Sequence, residues 1–115
     1  MSSRIATLKT LANMDGHPKA QADACYRLFE AYRNGDGVRK DEEEGVEWLT
    51  KAAGMGLATA QCYLGLHYEQ GRGVAQSFEK AAEWYQKAAD QGHARAQYNL
   101  GVCYEQGKGV AQSFE

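Results

Sequence analysis

The tetrad Gly-x-Gly-Val begins at Gly35, Gly71 and Gly107, each occurrence 36 residues after the one before. The likeness runs past the glycines. Starting at Gln61 the chain reads QCYLGLHYEQGRGVAQSFE, and starting at Gln97 it reads QYNLGVCYEQGKGVAQSFE. Glu47-Trp48 returns as Glu83-Trp84, and Lys51-Ala52-Ala53 returns as Lys87-Ala88-Ala89. A period of this length marks a repeat array, in which one supersecondary unit cannot bury its own apolar face and must stack on its neighbours.

Each unit reads as a pair of helices. The first, helix A, is expected over Ala58–Gln70, with Ala60, Leu64, Leu66 and Tyr68 at helical spacing and Ala96, Leu100, Val102 and Tyr104 as their counterparts. Gly71 then ends the helix through the left-handed conformation that glycine adopts most freely. The second, helix B, begins after an N-capping Ser77, or Asp41 one unit earlier, and ends near Gly92. Asp41-x-x-Glu44 fits a capping box, in which the two side chains each serve the other's backbone N–H. Gly65 and Gly101 sit inside helix A, where glycine costs about 1 kcal/mol relative to alanine. Their shared register predicts close packing of A on B, with Ala81, Ala82, Ala88 and Ala89 as the matching smooth face. Trp48, Trp84, Tyr68 and Tyr104 are expected to fill the space between units.

The first unit departs from the pattern. From Gly16 to Gly35 is 19 positions, against 15 from Gly92 to Gly107. Four extra residues make about one helical turn, so its helix A should be a turn longer with the face kept. Residues 5–14 read as a degenerate helix B that covers the first unit. The expected organisation is one repeat domain: an N-terminal helix and cap over 1–16, repeats over 17–56 and 57–92, and an incomplete third repeat over 93–115.

Composition narrows the function classes. Thirteen basic and fifteen acidic residues give a net charge of −2, so no basic surplus exists to draw in a phosphate backbone or an anionic lipid surface. The first 20 residues carry Arg4, Lys9, Asp15 and Lys19 and no apolar run, which argues against a signal peptide or a membrane span and favours the cytoplasm, unless the chain is part of a longer one.

The assembled residues resemble the Sel-one-like repeat family, a relative of the tetratricopeptide repeats. The resemblance is carried by Ala60, Leu64-Gly65, Tyr68, Gly71, Gly73-Val74, Lys80-Ala81, Trp84-Tyr85, Lys87-Ala88-Ala89 and Gly92, and it covers nearly the whole chain. Unit one differs, with Phe29 where the others have glycine and Glu44-Gly45 where they have Lys-Ala, so its packing should differ. The resemblance implies an all-α fold, a right-handed α-solenoid of antiparallel helix pairs whose A helices line a concave surface, and a role as an adaptor between proteins. Cysteine-rich members, some reported to bind or hydrolyse β-lactams, staple each unit with one cysteine late in helix B and one early in the next helix A. The corresponding positions here are Ala53 with Gln61 and Ala89 with Gln97, and Cys25, Cys62 and Cys103 fall elsewhere at unequal gaps. That enzymatic branch is disfavoured.

Other candidate chemistry is weak. His67 and Cys103 share a register but sit on neighbouring A helices about 10 Å apart between axes, too far to pair, and a metal would need further ligands. Packing accounts for them better. His17 and His93 follow a glycine in the turn from B to A and read as turn residues. The run Asp41-Glu42-Glu43-Glu44 suits a helix N-terminus, where carboxylates meet the positive end of the dipole. The Gly-x-Gly-Val turns lack the Lys-Ser/Thr of a phosphate loop. No catalytic, cofactor or metal residues are assigned.

What remains is the concave face. By analogy with tetratricopeptide repeats it carries Asp23, Tyr26, Glu30 and Arg33 from unit one, and Thr59, Cys62, Leu66 and Glu69 from unit two. Unit three supplies Arg95, Tyr98, Val102 and Glu105, with Asn99 beside Tyr98 positioned to hydrogen-bond a peptide backbone. These are mostly positions where similar units differ, as expected where packing does not dictate identity. Tyrosines flanked by charges suit an extended peptide or a helix laid in a groove. The chain stops at Ser113-Phe114-Glu115, where a third helix B should start. Either the array continues in a longer protein, or the last A helix pairs end to end with another copy. A spacer segment with no ligand of its own is the alternative to a partner-binding scaffold.

Overall fold

The computed structural model describes residues 3–111. Among them are six helices and no strand: α1 (Ser3–Ala12), α2 (Pro18–Asn34), α3 (Glu42–Gly54), α4 (Ala58–Gln70), α5 (Phe78–Asp90) and α6 (Ala94–Gln106). Each helix packs against the next in the chain. The Cα radius of gyration is 15.0 Å and the principal extents are 52 × 28 × 17 Å. A compact domain of this length has a radius near about 13 Å. The shape is that of an α-solenoid, in which α2, α4 and α6 are the A helices and α3 and α5 the B helices. α2 has 17 residues against 13 in α4 and α6, the extra turn expected from the longer spacing. The third helix B expected from Ser113 lies outside the described residues.

Local signals set the helix ends. Gly35, Gly71 and Gly107 follow the three A helices at φ of 71°, 66° and 68°, and each donates its N–H back to a carbonyl of the last turn. Asp41 and Ser77 cap α3 and α5 by accepting the N–H of Glu44 and Lys80 at 3.1 and 3.2 Å. The capping box is only half made. Glu44 Oε2 accepts the Trp48 indole N–H at 3.1 Å, and the Asp41 N–H donates to the Tyr32 carbonyl at 3.0 Å instead. Ser77 repeats that last bond, donating to Tyr68 O at 2.9 Å, so each B helix is tethered at its cap to the end of its own A helix.

The core runs along the whole stack. Ile5, Leu8 and Ala12 of α1 are buried with Leu28, Phe29 and Tyr32 of α2 and with Leu49 and Ala52 of α3. In unit two Gly65 lies under Tyr85, and a Cβ there would stand 2.5 Å from Tyr85 Cε1. Unit one fills these registers differently. Phe29 takes the place of Gly65, Leu49 takes that of Tyr85, and Gly45 sits in α3 where a Cβ would touch the Phe29 carbonyl and Tyr32 Cβ at 3.4 Å. The Phe29 ring meets Tyr63 and His67 of α4, so it packs toward the next unit. Trp48 is buried and Trp84 partly so, and Lys51 and Lys87, three residues on, lie over their rings at 4.5 and 5.4 Å from the centroid. Tyr104 departs from the expected filling role, being 39% exposed because among the described residues no helix lies beyond α6.

The glycines inside α4 and α6 give a paired prediction. At Gly101 a Cβ would meet nothing within 4 Å. Gly101→Ala should therefore raise the urea midpoint by the helix-propensity gain, at most about 1 kcal/mol. Gly65→Ala makes the same gain but forces a methyl into the Tyr85 ring, costing about 1–3 kcal/mol. The two midpoints should move in opposite directions; equal shifts would show that Tyr85 yields freely.

Candidate functional site

The A helices present a face built from the registers that differ between units. On α2, Asp23 is exposed and Tyr26, Glu30 and Arg33 are half-buried. On α4, Thr59, Leu66 and Glu69 are half-buried. Cys62, expected on the surface, is only 3% exposed and belongs to the packing beneath. On α6, Arg95, Tyr98 and Glu105 are exposed, with Tyr98 at 72%, while Asn99 and Val102 are half-buried. Several of these groups are already engaged, Asp23 among them, its Oδ2 accepting the Arg27 Nε–H at 3.1 Å. Glu69 Oε1 accepts the Tyr85 hydroxyl at 2.8 Å, and Asn99 Nδ2 is directed at Cys62 Sγ at 3.9 Å rather than held out for a ligand.

The densest part of the face includes residues the sequence reading passed over. Phe29 is flanked by Tyr26 and Tyr63 at centroid distances of 5.7 and 6.0 Å, and Tyr26 meets Tyr63 at 6.1 Å. His67 stands edge-on to Phe29 at 5.5 Å. The Arg33 guanidinium lies 5.0 Å from the Phe29 centroid and 5.6 Å from that of Tyr63. Tyr63 occupies the register of Arg27 and Asn99, and nothing in its own unit marks it. Its joining Tyr26 and Phe29 follows from the stacking of α4 on the preceding unit. Burial, with Tyr63 and Glu30 nearby, pushes the Tyr26 hydroxyl up to about 12, so it remains a donor at any ordinary pH.

His67 is 6% exposed, and its Nδ1–H donates to the Arg72 carbonyl at 2.8 Å. Burial holds its pKa below the ordinary 6.5, with the Arg72 carbonyl working the other way. The unfolded chain therefore binds this proton before the folded one does. The stability owed to a neutral His67 is complete above about pH 6.5 and is lost as pH falls through the lowered folded value. His67→Asn keeps a donor without the titration. The melting-temperature advantage of the wild type over His67→Asn should shrink between pH 7 and pH 5, and a constant difference would refute the burial account.

The three thiols Cys25, Cys62 and Cys103 are buried and free, and burial raises each pKa, which suppresses the thiolate. No group of three His, Cys, Asp or Glu side chains able to hold a metal occurs among the described residues, and no described helix is long and apolar enough to cross a membrane. At the paired positions where the resemblance to cysteine-rich members would put a staple, a hydrogen bond stands here. Gln61 Nε2 donates to Ala53 O at 3.1 Å, and Gln97 Nε2 to Ala89 O at 3.2 Å. Gln21 does the same to Ala12 O at 2.9 Å in the first unit. His93 caps α6, its Nδ1 accepting the Ala96 N–H at 3.2 Å, which makes it a turn residue. At the far end, Leu100, Tyr104 and Val110 line an open groove with Ala82 and Lys87 of α5.

Three solved structures share this architecture. A Sel1 repeat protein from Oxalobacter formigenes superposes with a TM-score of 0.82 at 38% identity, over 95% of this chain and 78% of its own. The protein c5321, a protective antigen present in uropathogenic Escherichia coli strains and displaying an SLR fold, gives 0.79 at 36% identity. That match covers 85% of this chain and 21% of the antigen. Helicobacter pylori cysteine rich protein B gives 0.71 at 24% identity, over 86% of this chain and 73% of its own, a likeness of fold alone. No curated protein sequence matches the chain. Proteins built from Sel1 repeats generally serve as protein-interaction scaffolds. Matches to the Sel1 repeat profile over residues 22–57, 58–93 and 94–115 take up most of the sequence, and the chain belongs to the Sel1 repeat family.

Proposed function

We propose that this chain is a scaffold that binds a peptide or helix of a partner protein on the face formed by α2, α4 and α6. The observation that carries the reading is Tyr98, 72% exposed in the register of Tyr26 and flanked by the exposed Arg95. A large aromatic left in water on an otherwise well-packed array suits a contact residue, because tyrosine and arginine dominate the energetics of protein interfaces. The other contacts proposed are Glu30, Arg33, Thr59, Leu66, Val102 and Glu105, with Asn99 and Cys62 supporting from below. The array is read as one domain, with a cap over 1–16 and units over 17–56, 57–92 and 93–115. Cytoplasmic location belongs to the same proposal.

A photo-crosslinking amino acid at position 98, with a second at Glu47 on α3 as a control, will capture the partner from the first site only. The captured protein, once purified, should lose about tenfold to a hundredfold in affinity for the Arg95→Ala, Tyr98→Ala double variant. Unchanged affinity would place the partner on another surface.

A further inference from the structure

The arginines of the described chain fall into different situations. Arg4, Arg27 and Arg72 each face a carboxylate, on Asp36, Asp23 and Glu42 at 3.6, 3.1 and 2.9 Å. Arg39 and Arg95 are exposed to water. Arg33 has neither remedy: it is half-buried, and no acidic side chain pairs with it among the described residues.

Its surroundings hold it in place. Phe29, 1% exposed, is fixed by Tyr26, Tyr63 and His67, and the guanidinium lies over Phe29 and Tyr63. Rings can stabilise a cation through their faces, but they leave the in-plane N–H groups of the guanidinium unfilled. Those N–H groups form a planar fork that matches the two oxygens of a carboxylate. His67 behind Phe29 is held neutral at pH 7 and adds no competing charge. The hydroxyls of Tyr26 and Tyr63 make no hydrogen bond among the described residues, so both are left as donors in the same aromatic cluster. Leu66, half-buried one turn along α4 from Tyr63, supplies apolar surface.

We propose that Arg33, stacked on Phe29 and Tyr63, is the docking point for an acidic side chain of a peptide bound across α2 and α4, with an apolar neighbour of that residue resting against Leu66 and Tyr26. The inference rests on the peptide-binding reading above and narrows its partner to an acidic-apolar segment. Glu30 and Glu69 flank the position on the same face, so a carboxylate gains only where it meets the guanidinium directly. The recognition is local, and it does not depend on the overall charge of −2.

The test uses the full chain and two acetylated, amidated peptides, Ala-Leu-Glu-Leu-Ala and the same sequence with Gln for Glu. Binding is followed by NMR at the Arg33 Nε–H and at the amides of Tyr63 and Leu66. The Glu peptide should bind about tenfold more tightly than the Gln peptide and move the Arg33 Nε–H, the scale of one charge-assisted pair. Arg33→Met, which keeps the rings covered, should abolish the preference, and Arg33→Lys should retain part of it because charge survives without the fork. Equal binding of the two peptides, with shifts at Tyr63 and Leu66, overturns the carboxylate site and leaves the peptide-binding face standing. A preference that survives in Arg33→Met also overturns it, as does the absence of any shift with either peptide. In that last case the broader reading is judged by the crosslinked partner and the Tyr98 variant.

Discussion

Alanine at position 73 will destabilise the array by about 2–6 kcal/mol, a large part of what a domain of this size possesses. Two costs add. Gly73 has φ of +75°, and a side chain held in the left-handed region costs about 1–3 kcal/mol. Its Cβ would also stand 2.8 Å from both the Glu42 carbonyl oxygen and Val46 Cγ2 of α3, an overlap worth about 1–3 kcal/mol more. The first glycine of the tetrad ends helix A, whereas the second lets the turn lie against the helix B of the preceding unit. Gly109 repeats the contact against the Phe78 carbonyl of α5. Arg72, between Gly71 and Gly73, bonds to Glu42 at 2.9 Å across the same seam. Guanidinium unfolding of Gly73→Ala should therefore show a lower midpoint, with units one and two less tightly coupled. A shift of less than 1 kcal/mol by the same measurement would mean that the seam opens without penalty and that the contact with α3 does not hold the units together.

Tyr85→Ala should cost about 3–5 kcal/mol, the range for deleting a buried aromatic. Tyr85 is 0% exposed and closes over Gly65, so truncation leaves a void that the glycine cannot fill. Its hydroxyl donates to Glu69 at 2.8 Å, and burial together with that bond raises its pKa. Tyr85→Phe separates the two contributions. It removes only the hydrogen bond, worth about 1–2 kcal/mol, and frees Glu69 on the candidate face. If the Ala and Phe variants unfold at the same denaturant concentration, the hydrogen bond rather than the ring fixes α5 on α4.

The period, the helix ends and the all-α repeat architecture were legible in the sequence because they depend on neighbours a few positions apart. Gly35, Gly71 and Gly107 terminate helices by their own backbone freedom, and Asp41 and Ser77 cap by reaching three residues ahead. Four extra residues in unit one became one extra turn of α2, since a helix adds residues without changing its face. Local pattern misled where two acceptors competed for one donor. Glu44 matched the capping box by spacing, but the Trp48 indole was a nearby donor and the Asp41 N–H already had the Tyr32 carbonyl.

The candidate face was legible by register, not by chemistry. Spacing put Cys62 in line with Tyr26 and Tyr98, yet Cys62 is small enough for its neighbours to close over it. Tyr63 stood outside the chosen registers and entered the face because α4 packs beside α2. Phe29 and Gly45, where the later units have Gly65 and Ala81, show the same division. The sequence showed that unit one differs, and only the helix–helix contacts revealed that Gly45 lies against the α2 backbone and the Phe29 ring against Tyr63 and His67 of α4. The amino-acid pattern by itself determined that this chain folds as a stack of paired helices, because turns, caps and apolar spacing act locally. Which side chains meet across the stack, and so which half-buried arginine is left without a carboxylate, was decided by tertiary packing, because those contacts join residues about one repeat apart whose shapes must fit in three dimensions.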